Sequence, residues 1–472
     1  MSHATPPSQT SPKDPAPQVQ QAPLRPRPMV TTGSAWTFPH VERRELGSGL
    51  TVLTVQLPGQ EIMSIQLALD VPLASEPADL EGIGAVTVRT ADEGTAPHPG
   101  HEFAEQMEQI AASYGGSAMQ TSTMLSLDVP REQLSTGMEL FAELLTSTAL
   151  DPVDVGRQVD ASVAQLARTA HSGPSLAQLA ANRLLWPCSS RLSRASAGSM
   201  STLATIDAER VREFWNQMWR PGRGVLVVAG DHADEVNLDV LEQWTGTPRA
   251  ESTRELTTTA AARRVLLVDR PDAVQADVRL QLGTPGRDHP LWPALKVAAA
   301  ALGGTFSSRL NSVLREEKGW SYGVGMSVRP MRFGAIAAVS GAFRTEVAAE
   351  ALVTTMQILD AAGDPLGRTE VDQARDHLVG VVPLQYDTAE AVSAQLAVLH
   401  LAGLDSSWID EHFTRLARVG HDSANEAWQQ LLDVTAWQIG ISGQASVLAP
   451  QLREAGFEVE VISPDQLLDL AG

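Results

Sequence analysis

Apolar residues alternate or cluster in two short stretches near the start of the chain, Leu50–Leu57 and Ile62–Val71, on either side of a Pro58-Gly59 turn. Short apolar runs that are bounded by Pro and Gly predict β-strands. Apolar residues then recur at helical spacing over Glu102–Tyr114, and Gly115-Gly116 predicts the end of that helix. The same patterns predict the other elements of this half. These are strands at Ser117–Val129 and Gly224–Ala229, and helices at residues 80–92, Arg131–Ser147, Asp154–Ala170, Ser175–Leu185 and Asp207–Met218.

The second half of the chain repeats this order of elements. We predict strands at Arg264–Asp269, Ala276–Leu282, Val324–Val328, Ile336–Gly341 and Trp437–Ser442, and helices at Leu291–Leu302, Glu346–Ala361, Glu370–Leu378, Ala389–Ala402 and Ser423–Leu432. Locally, Phe214-Trp215 before GVLVVAGD resembles Ala427-Trp428 before WQIGISGQ, 213 residues later. Together these features predict an α+β fold with two homologous halves. Each half should form an antiparallel β-sheet with a mixed edge, covered by helices.

Composition divides the chain into four segments. Residues 1–36 contain eight prolines together with Gln, Ser and Thr, and they have few large apolar side chains. Such a segment cannot bury enough surface to fold, so we predict a disordered leader. The two α+β halves are then residues 37–248 and 263–472. Residues 249–262, where Thr, Ala and Arg dominate, predict a linker between them.

The charge and the cysteine content exclude several classes of function. The 472 residues include 35 basic and 56 acidic side chains, for a net charge of -21, which leaves no basic face for nucleic acid or an anionic membrane. A single cysteine, Cys188, excludes an intramolecular disulfide framework. The N-terminus lacks an apolar signal region, and no stretch approaches the ~18 apolar residues of a membrane span. These features predict a soluble protein of the cytoplasm.

Common catalytic motifs are absent or incomplete in the sequence. His98 and His101 flank Pro99-Gly100, but no third metal ligand is evident, so a loop that enters a helix is favoured over a zinc site. The chain has no Gly-x-Ser-x-Gly motif, no P-loop and no complete dinucleotide fingerprint. The residues alone therefore show no complete catalytic constellation.

The most informative stretch is Leu302–Tyr322, LGGTFSSRLNSVLREEKGWSY. It resembles the Arg/Tyr segment of the pitrilysin/insulinase family of zinc peptidases, the inverzincins, in which a Tyr follows the Arg of a Leu-Arg-Glu run by seven residues. Arg315 and Tyr322 stand at that spacing. The resemblance extends over about residues 40–470, since EGIGAVTVRTADEGT is similar to the family's zinc-motif segment and RPGRGVLVVAGD to the end of its first domain.

The chain departs from the family where the zinc ligands belong. In place of His-x-x-Glu-His it has Ala85-Val86-Thr87-Val88-Arg89, so both imidazoles and the general-base carboxylate are missing. The family's third ligand, a helical Glu, should fall within residues 161–166, where Gln165 is near its place. Ala85, Val88, Arg89 and Gln165 thus form a degenerate zinc motif, and we expect no metal and no peptidase activity in this chain alone.

The resemblance nevertheless implies a function. In the two-subunit members of the family, one subunit carries the zinc and its partner lacks the motif but keeps the Arg/Tyr pair. This chain would then be half of a clam-shell chamber, a non-catalytic subunit whose Arg315 and Tyr322 act in trans on a peptide held by a zinc-bearing homologue. Processing of precursor or leader peptides would suit such a chamber. In this interpretation Arg89 could fill the empty zinc position by pairing with Asp92 or Glu93.

Three alternatives stay open from the sequence. Arg315 could merely pair with Glu316 or Glu317 while Tyr322 fills a strand face, which is the ordinary role of such residues. The chain could be a catalytically inactive structural or peptide-binding homologue, or it could hold a displaced metal at His98 and His101. The sequence also leaves open the cleavage site, the choice between homodimer and heterodimer, and whether an acidic chamber selects basic peptides. Arg309, Trp320 and Phe306 are predicted to be structural.

Overall fold

The computed structural model describes residues 36–247, 258 and 263–468. The predicted leader, apart from Trp36, and the predicted linker, apart from Thr258, lie outside the described residues. From Thr37 onward, the described residues form one compact unit, which contains two six-stranded sheets.

The first sheet has the strand order β1-β2-β6-β3-β5-β4. Its strands are β1 (Val41–Glu45), β2 (Thr51–Gln56), β3 (Ile62–Leu69), β4 (Ser113–Ala118), β5 (Thr123–Pro130) and β6 (Val225–Gly230). The helices of this half are α1 (Ile83–Thr90), α2 (His101–Gln109), α3 (Leu134–Ser147), α4 (Pro152–Ala170), α5 (Gly173–Leu185), α6 (Met200–Leu203) and α7 (Ala208–Met218). Among the described strands of this sheet, only β2 and β6 pair in parallel, and β4 is an edge strand.

The second sheet has the strand order β12-β7-β11-β8-β10-β9. Its strands are β7 (Arg264–Asp269), β8 (Gln275–Thr284), β9 (Val324–Pro330), β10 (Ala335–Arg344), β11 (Gln438–Gly443) and β12 (Glu458–Ile462). The helices are α8 (Trp292–Ala299), α9 (Arg309–Asn311), α10 (Ala348–Leu359), α11 (Arg368–Gly380), α12 (Val382–Gln385), α13 (Ala389–Leu401), α14 (Ser407–Ala417), α15 (His421–Leu431), α16 (Ala445–Glu454) and α17 (Pro464–Leu468). π-Helical turns at Ala300–Gly304 and Ser312–Glu317 extend α8 and α9.

The two sheets repeat one topology. β2-β6-β3-β5-β4 and β7-β11-β8-β10-β9 correspond strand by strand, and in each series the last strand in the chain pairs in parallel with the first. The sheets differ only at one edge, where β1 is antiparallel to β2 and β12 is parallel to β7. The predicted α+β fold with two homologous halves and mixed sheets is therefore confirmed.

Each half contributes one helix to the sheet of the other. Helix α5 packs on β7, β8 and β11, and helix α13 packs on β3 and β6. The first contact depends on Gly440, because an added Cβ there would lie closer than 3.0 Å to the backbone of Ala177 and Ala181 on α5. In the second contact, the Ser393 hydroxyl donates to Ser64 at 3.1 Å. The halves are thus held together by exchanged helices.

One predicted helix is wrong at its C-terminal end. The helix expected over Glu102–Tyr114 ends at Gln109, and Gly115-Gly116 lies inside strand β4 instead of after a helix. The reason is close packing, since a Cβ on Gly116 would lie closer than 3.0 Å to the Val88 side chain on α1. The predicted strand Ser117–Val129 is accordingly two strands, β4 and β5, joined by a turn.

Candidate functional site

The structure brings Arg315 and Tyr322 together at the surface. Arg315 lies on the π-helical turn Ser312–Glu317, and Gly319, with a φ of 62°, ends that helical segment and leads into the loop that carries Tyr322. The guanidinium carbon of Arg315 lies 5.9 Å from the centre of the Tyr322 ring and 3.9 Å from that of Phe306. Tyr322 is 97% exposed, so its hydroxyl is free to meet another molecule.

The ordinary roles considered for these side chains are met only in part. The Nε of Arg315 does lie 3.4 Å from a Glu316 carboxylate oxygen, but that carboxylate is 60% exposed, and such pairs contribute little stability. Tyr322 does not fill a strand face. Phe306, predicted to be structural packing, is 71% exposed and lies against Arg315, so that prediction is wrong. Trp320 packs against the buried apolar residues of the second half, as predicted.

Asn311 and Arg309 fix the backbone around this pair. The Asn311 amide donates to the carbonyl oxygens of Thr305 at 3.1 Å and Val324 at 3.0 Å, and its oxygen accepts from the Val324 N–H at 2.9 Å. Arg309 binds both carboxylate oxygens of Glu370, which confirms its structural role. The sequence reasoning missed Asn311, although a lone amide before a Gly-rich turn is the kind of residue that joins two backbone segments.

Helix α1, which carries the degenerate zinc motif, is held by a buried carboxylate. The N–H groups of Gly82 and Gly84 donate to the two oxygens of Glu76 at 3.1 and 3.0 Å. The Nε of Arg191 donates to Glu76 at 2.8 Å, and Arg194 binds Glu81 with Nε at 2.9 Å from both oxygens. This cluster, which the sequence reasoning missed, orients the start of α1.

Within the degenerate motif, Arg89 faces Ser162 and not Gln165. An Nη atom of Arg89 donates to the Ser162 hydroxyl on α4. Gln165, one turn further on, is exposed and accepts from Arg168 at 2.6 Å. Ala85 is half-buried and Val88 is buried against the edge strand β4. The structure therefore brings Ala85, Val88 and Arg89 together on α1 but leaves Gln165 apart.

The carboxylates beside Arg89 have other partners. Glu93 binds Arg157 and Gln158, each at 2.6 Å, so the ion pair considered between Arg89 and Glu93 does not form. Among the described residues Arg89 pairs with no acid at all, its Nε is buried without a partner, and burial lowers its pKa. Burial, with repulsion from Glu93, raises the pKa of Asp92 to about 6.

These residues do not fit a zinc ion. Ala85 and Val88 offer no donor atom, and Arg89 places a cation where a ligand would have to stand. Across the part of the chain that the structure describes, no three His, Cys, Asp or Glu side chains are grouped so as to hold a metal. His98 instead binds Glu143 at 2.9 Å, and His101 begins α2 with its side chain 85% exposed, as expected for a helix-entry loop.

The edge strand β4 runs beside α1. A Cβ on Gly84 would lie 3.3 Å from the Ala118 Cβ, and one on Gly116 would meet Val88, so the two elements lie side by side in opposite directions. β4 pairs only with β5, which leaves its outer edge open among the described strands. Such an edge can accept an extended peptide as an added strand.

Two family descriptions match the chain. Residues 51–182 match "Insulinase (Peptidase family M16)", and residues 205–378 match "Peptidase M16 inactive domain". Together these two matches include α1, β4, Arg315 and Tyr322. In the described residues no helix is both long and apolar enough to cross a membrane.

Curated relatives span most of the chain. An uncharacterized zinc protease of Streptomyces coelicolor is 22% identical over 403 residues, 83% of this chain and 87% of the relative. One from Mycobacterium tuberculosis is 24% identical over 422 residues, 87% of this chain and 95% of the relative. YmxG of Bacillus subtilis, also an uncharacterized zinc protease, is 20% identical over 396 residues, 83% and 95% of the two chains.

Solved structures share the fold. A Pseudomonas fluorescens structure titled "peptidase M16 inactive domain" has a TM-score of 0.79 at 19% identity and covers 86% of this chain and 98% of that chain. A protease from Helicobacter pylori has a TM-score of 0.77 at 16% identity, covering 86% and 100%. A chain of Complex III2 from Candida albicans has a TM-score of 0.74 at 14% identity, covering 88% and 99%.

Proposed function

The chain belongs to the M16 (insulinase) family of peptidases, and from that premise we propose that it is the non-catalytic subunit of a heterodimeric zinc metallopeptidase. Its partner would be a family homologue with an intact His-x-x-Glu-His motif, which would hold the zinc. One observation carries the proposal. The chain exposes Arg315 and Tyr322 side by side while its own motif helix has no zinc ligand.

The chemistry of this pair suits a role in trans. A guanidinium and a phenol can both donate hydrogen bonds to a peptide carbonyl and to the oxyanion that forms when it is attacked. One such donor contributes roughly 2.7–4 kcal/mol of transition-state stabilisation. Contact with Phe306 limits the motion of the Arg315 side chain, so less conformational entropy is lost when it binds. The exposed Tyr322 hydroxyl can reach a second subunit without any rearrangement of the core.

The substrate in this proposal is a peptide, a precursor or leader segment that binds in extended form. The open edge of β4 supports an extended peptide, since main-chain hydrogen bonds along a strand edge are independent of side-chain sequence. The cytoplasmic location inferred from the sequence stays a prediction, which cell fractionation would test.

Co-expression with a zinc-motif homologue from the same genome tests the proposal. We expect peptidase activity from the pair and none from either chain alone. Arg315→Ala and Tyr322→Phe should each lower kcat by about 10²–10³-fold, while size-exclusion chromatography still shows the complex. Arg44→Ala is the matched control, because Arg44 is exposed on β1, at the edge of the first sheet opposite β4.

Two results would contradict the proposal. An unchanged kcat in both Arg315→Ala and Tyr322→Phe would contradict the role of these residues in trans. Stoichiometric zinc in the isolated chain would show that its own motif binds the metal. A pair that assembles and binds peptide but never cleaves it would instead support an inactive structural or peptide-binding homologue. That alternative is favoured by the same missing ligands at Ala85, Val88 and Arg89.

A further inference from the structure

A cavity of about 730 Å³ lies at one end of the second sheet, away from Arg315 and from α1. Its walls come from the end of β8, the β9–β10 turn and the residues that follow α13. They include Gly283, Thr284, Arg287, Arg332, Gly334 and Leu404. The volume would accommodate a small molecule, and two of the lining side chains are arginines.

Both arginines keep a hydrogen-bond donor without a partner. The Nη1 of Arg287 and the Nε of Arg332 are buried, and neither bonds to any atom of the described residues. Arg332 is nevertheless fixed in place, because its Nη1 forms an ion pair with the buried carboxylate of Asp70. Arg287 lies over the Trp408 ring, 5.8 Å from its centre. A buried guanidinium N–H group without an acceptor costs free energy. The two donors therefore favour a ligand that carries hydrogen-bond acceptors.

The surroundings of Arg287 are positively charged. Lys296 and Arg415 donate to the carbonyl oxygens of Val328 at 3.2 Å and Pro290 at 2.7 Å, and in the described residues neither of them, nor Arg287, pairs with a carboxylate. Burial lowers the pKa of Arg287 to about 10, and burial together with Arg287 lowers that of Lys296. Burial and the nearby cations lower the pKa of His412 to about 3.

This concentration of positive charge stands in a chain whose net charge is -21. Among the lining residues the only acid is Asp288, which is exposed. Buried charges in proteins are normally paired, and a bound anion would supply what Arg287 lacks. A guanidinium also matches the planar or tetrahedral oxygens of carboxylate and phosphate groups better than any other side chain does.

We propose that this cavity binds the oxyanion of a small molecule, a phosphate or a carboxylate, through Arg287 and Arg332. The site uses neither Arg315 nor Tyr322, so the test of this proposal is independent of the proposed function. Bound oxyanion would contact the β9–β10 turn, whose Arg332 reaches Asp70 in the first half, so it would stabilise the contact between the halves.

Isothermal titration calorimetry and thermal melting of the full chain test this inference, with sodium phosphate and N-acetylglycine as probes and sodium chloride of equal ionic strength as reference. We expect at least one probe to bind at one per chain and to raise Tm above the chloride reference. Arg287→Gln should weaken that binding by about tenfold or more and should abolish the rise in Tm. The charge-matched control Arg344→Gln should bind like the wild type.

The two probes distinguish the sources of the oxyanion. Binding of phosphate alone identifies a phosphate site, and binding of N-acetylglycine alone identifies a carboxylate site. If the wild type binds neither probe, or if Arg287→Gln binds as tightly as the wild type, the inference is overturned. Arg332→Gln could destabilise the fold through Asp70, so Arg287→Gln, which breaks no ion pair in the described residues, decides the result.

Discussion

Glu76 and Arg191 form an ion pair of 2.8 Å in which the two side chains are 1% and 5% exposed. The same carboxylate accepts the N–H groups of Gly82 and Gly84, so it both neutralises the guanidinium and caps the start of α1. Glu76 thus joins the motif helix to Arg191, 115 residues further along the chain, beside the second ion pair between Glu81 and Arg194. Its removal would leave two backbone donors unpaired and the buried Arg191 with only its longer ion pair to Glu81, at 3.8 Å.

We therefore expect Glu76→Ala to lower the free energy of unfolding by about 3–5 kcal/mol, the usual effect of removing one partner of a buried pair. Urea denaturation measures this change. Asp79→Asn is the control, since its pair with Arg210 is 3.6 Å long and its side chain is 72% exposed, so its loss should cost at most about 0.5 kcal/mol. Equal effects of the two substitutions would contradict the role given to Glu76.

The fold was largely predictable because its elements are strongly patterned. The apolar runs of β2, β3 and β6 are buried on both faces, and each strand was predicted from its pattern of apolar positions. β4 was not, because Tyr114 and Ala118 are the only apolar residues of SYGGSA and Gly115-Gly116 stands between them. Its pairing with β5 and the contact of Gly116 with Val88 explain the strand. The exchange of α5 and α13 was also missed, since a helical pattern does not say which sheet the helix covers.

Gly440 tests that helix exchange. We expect Gly440→Ala to destabilise the chain by about 1–3 kcal/mol, because the new Cβ would collide with the backbone of α5 and force the helix away from the second sheet. Chemical denaturation measures the loss. Gly156→Ala on α4, where a Cβ meets nothing within 4 Å, should stabilise by about 0.5–1 kcal/mol through helix propensity. A neutral Gly440→Ala would show that α5 does not pack as described.

Asp92 should make stability depend on pH. Burial raises the pKa of Asp92 to about 6 in the folded protein, above its value in the unfolded chain. Between those two pKa values the folded state binds more protons, so its stability falls as the pH rises toward about 6 and stays lower above it. Asp92→Asn should then raise the free energy of unfolding by about 2 kcal/mol near pH 8 and hardly at all near pH 4.

Urea titrations at the two pH values measure this difference. Asp160→Asn on the exposed side of α4 makes the same change in charge and should show no comparable gain at either pH. If Asp92→Asn shifted stability equally at both pH values, its effect would come from packing and not from ionisation.

The candidate site was predictable only where chemistry and spacing are local. Arg315 and Tyr322 are seven residues apart, and one turn brings them together, so the spacing in the sequence was enough to predict that they are neighbours. The third ligand position depends on where α4 lies along its axis relative to α1, because Ser162 and Gln165 are three residues apart on α4. Ser162, which contacts Arg89, is 73 positions further along the chain, and Gln165 was expected at the place that Ser162 occupies. No residue pattern within α4 distinguishes the two.

Rebuilding the zinc site tests whether Ser162 or Gln165 of α4 lies at the third ligand position. Ala85→His, Val88→Glu and Arg89→His restore the family motif on α1, and Ser162→Glu adds a carboxylate where Arg89 now donates. Histidine is shorter than arginine and glutamate longer than serine, so their donor atoms can meet between α1 and α4. We expect this variant to keep about one zinc per chain after dialysis, measured by metal analysis.

The matched comparison carries Gln165→Glu in place of Ser162→Glu on the same triple background. Because Gln165 is exposed and turned toward Arg168, its carboxylate should not reach the metal, and the variant should bind zinc at least about tenfold more weakly in competition with a chelator. The triple variant without either glutamate sets the baseline. Tighter zinc binding with Gln165→Glu than with Ser162→Glu would mean that α4 is shifted along its axis by about one turn from the position described, and Ser162 would then no longer mark the third ligand position.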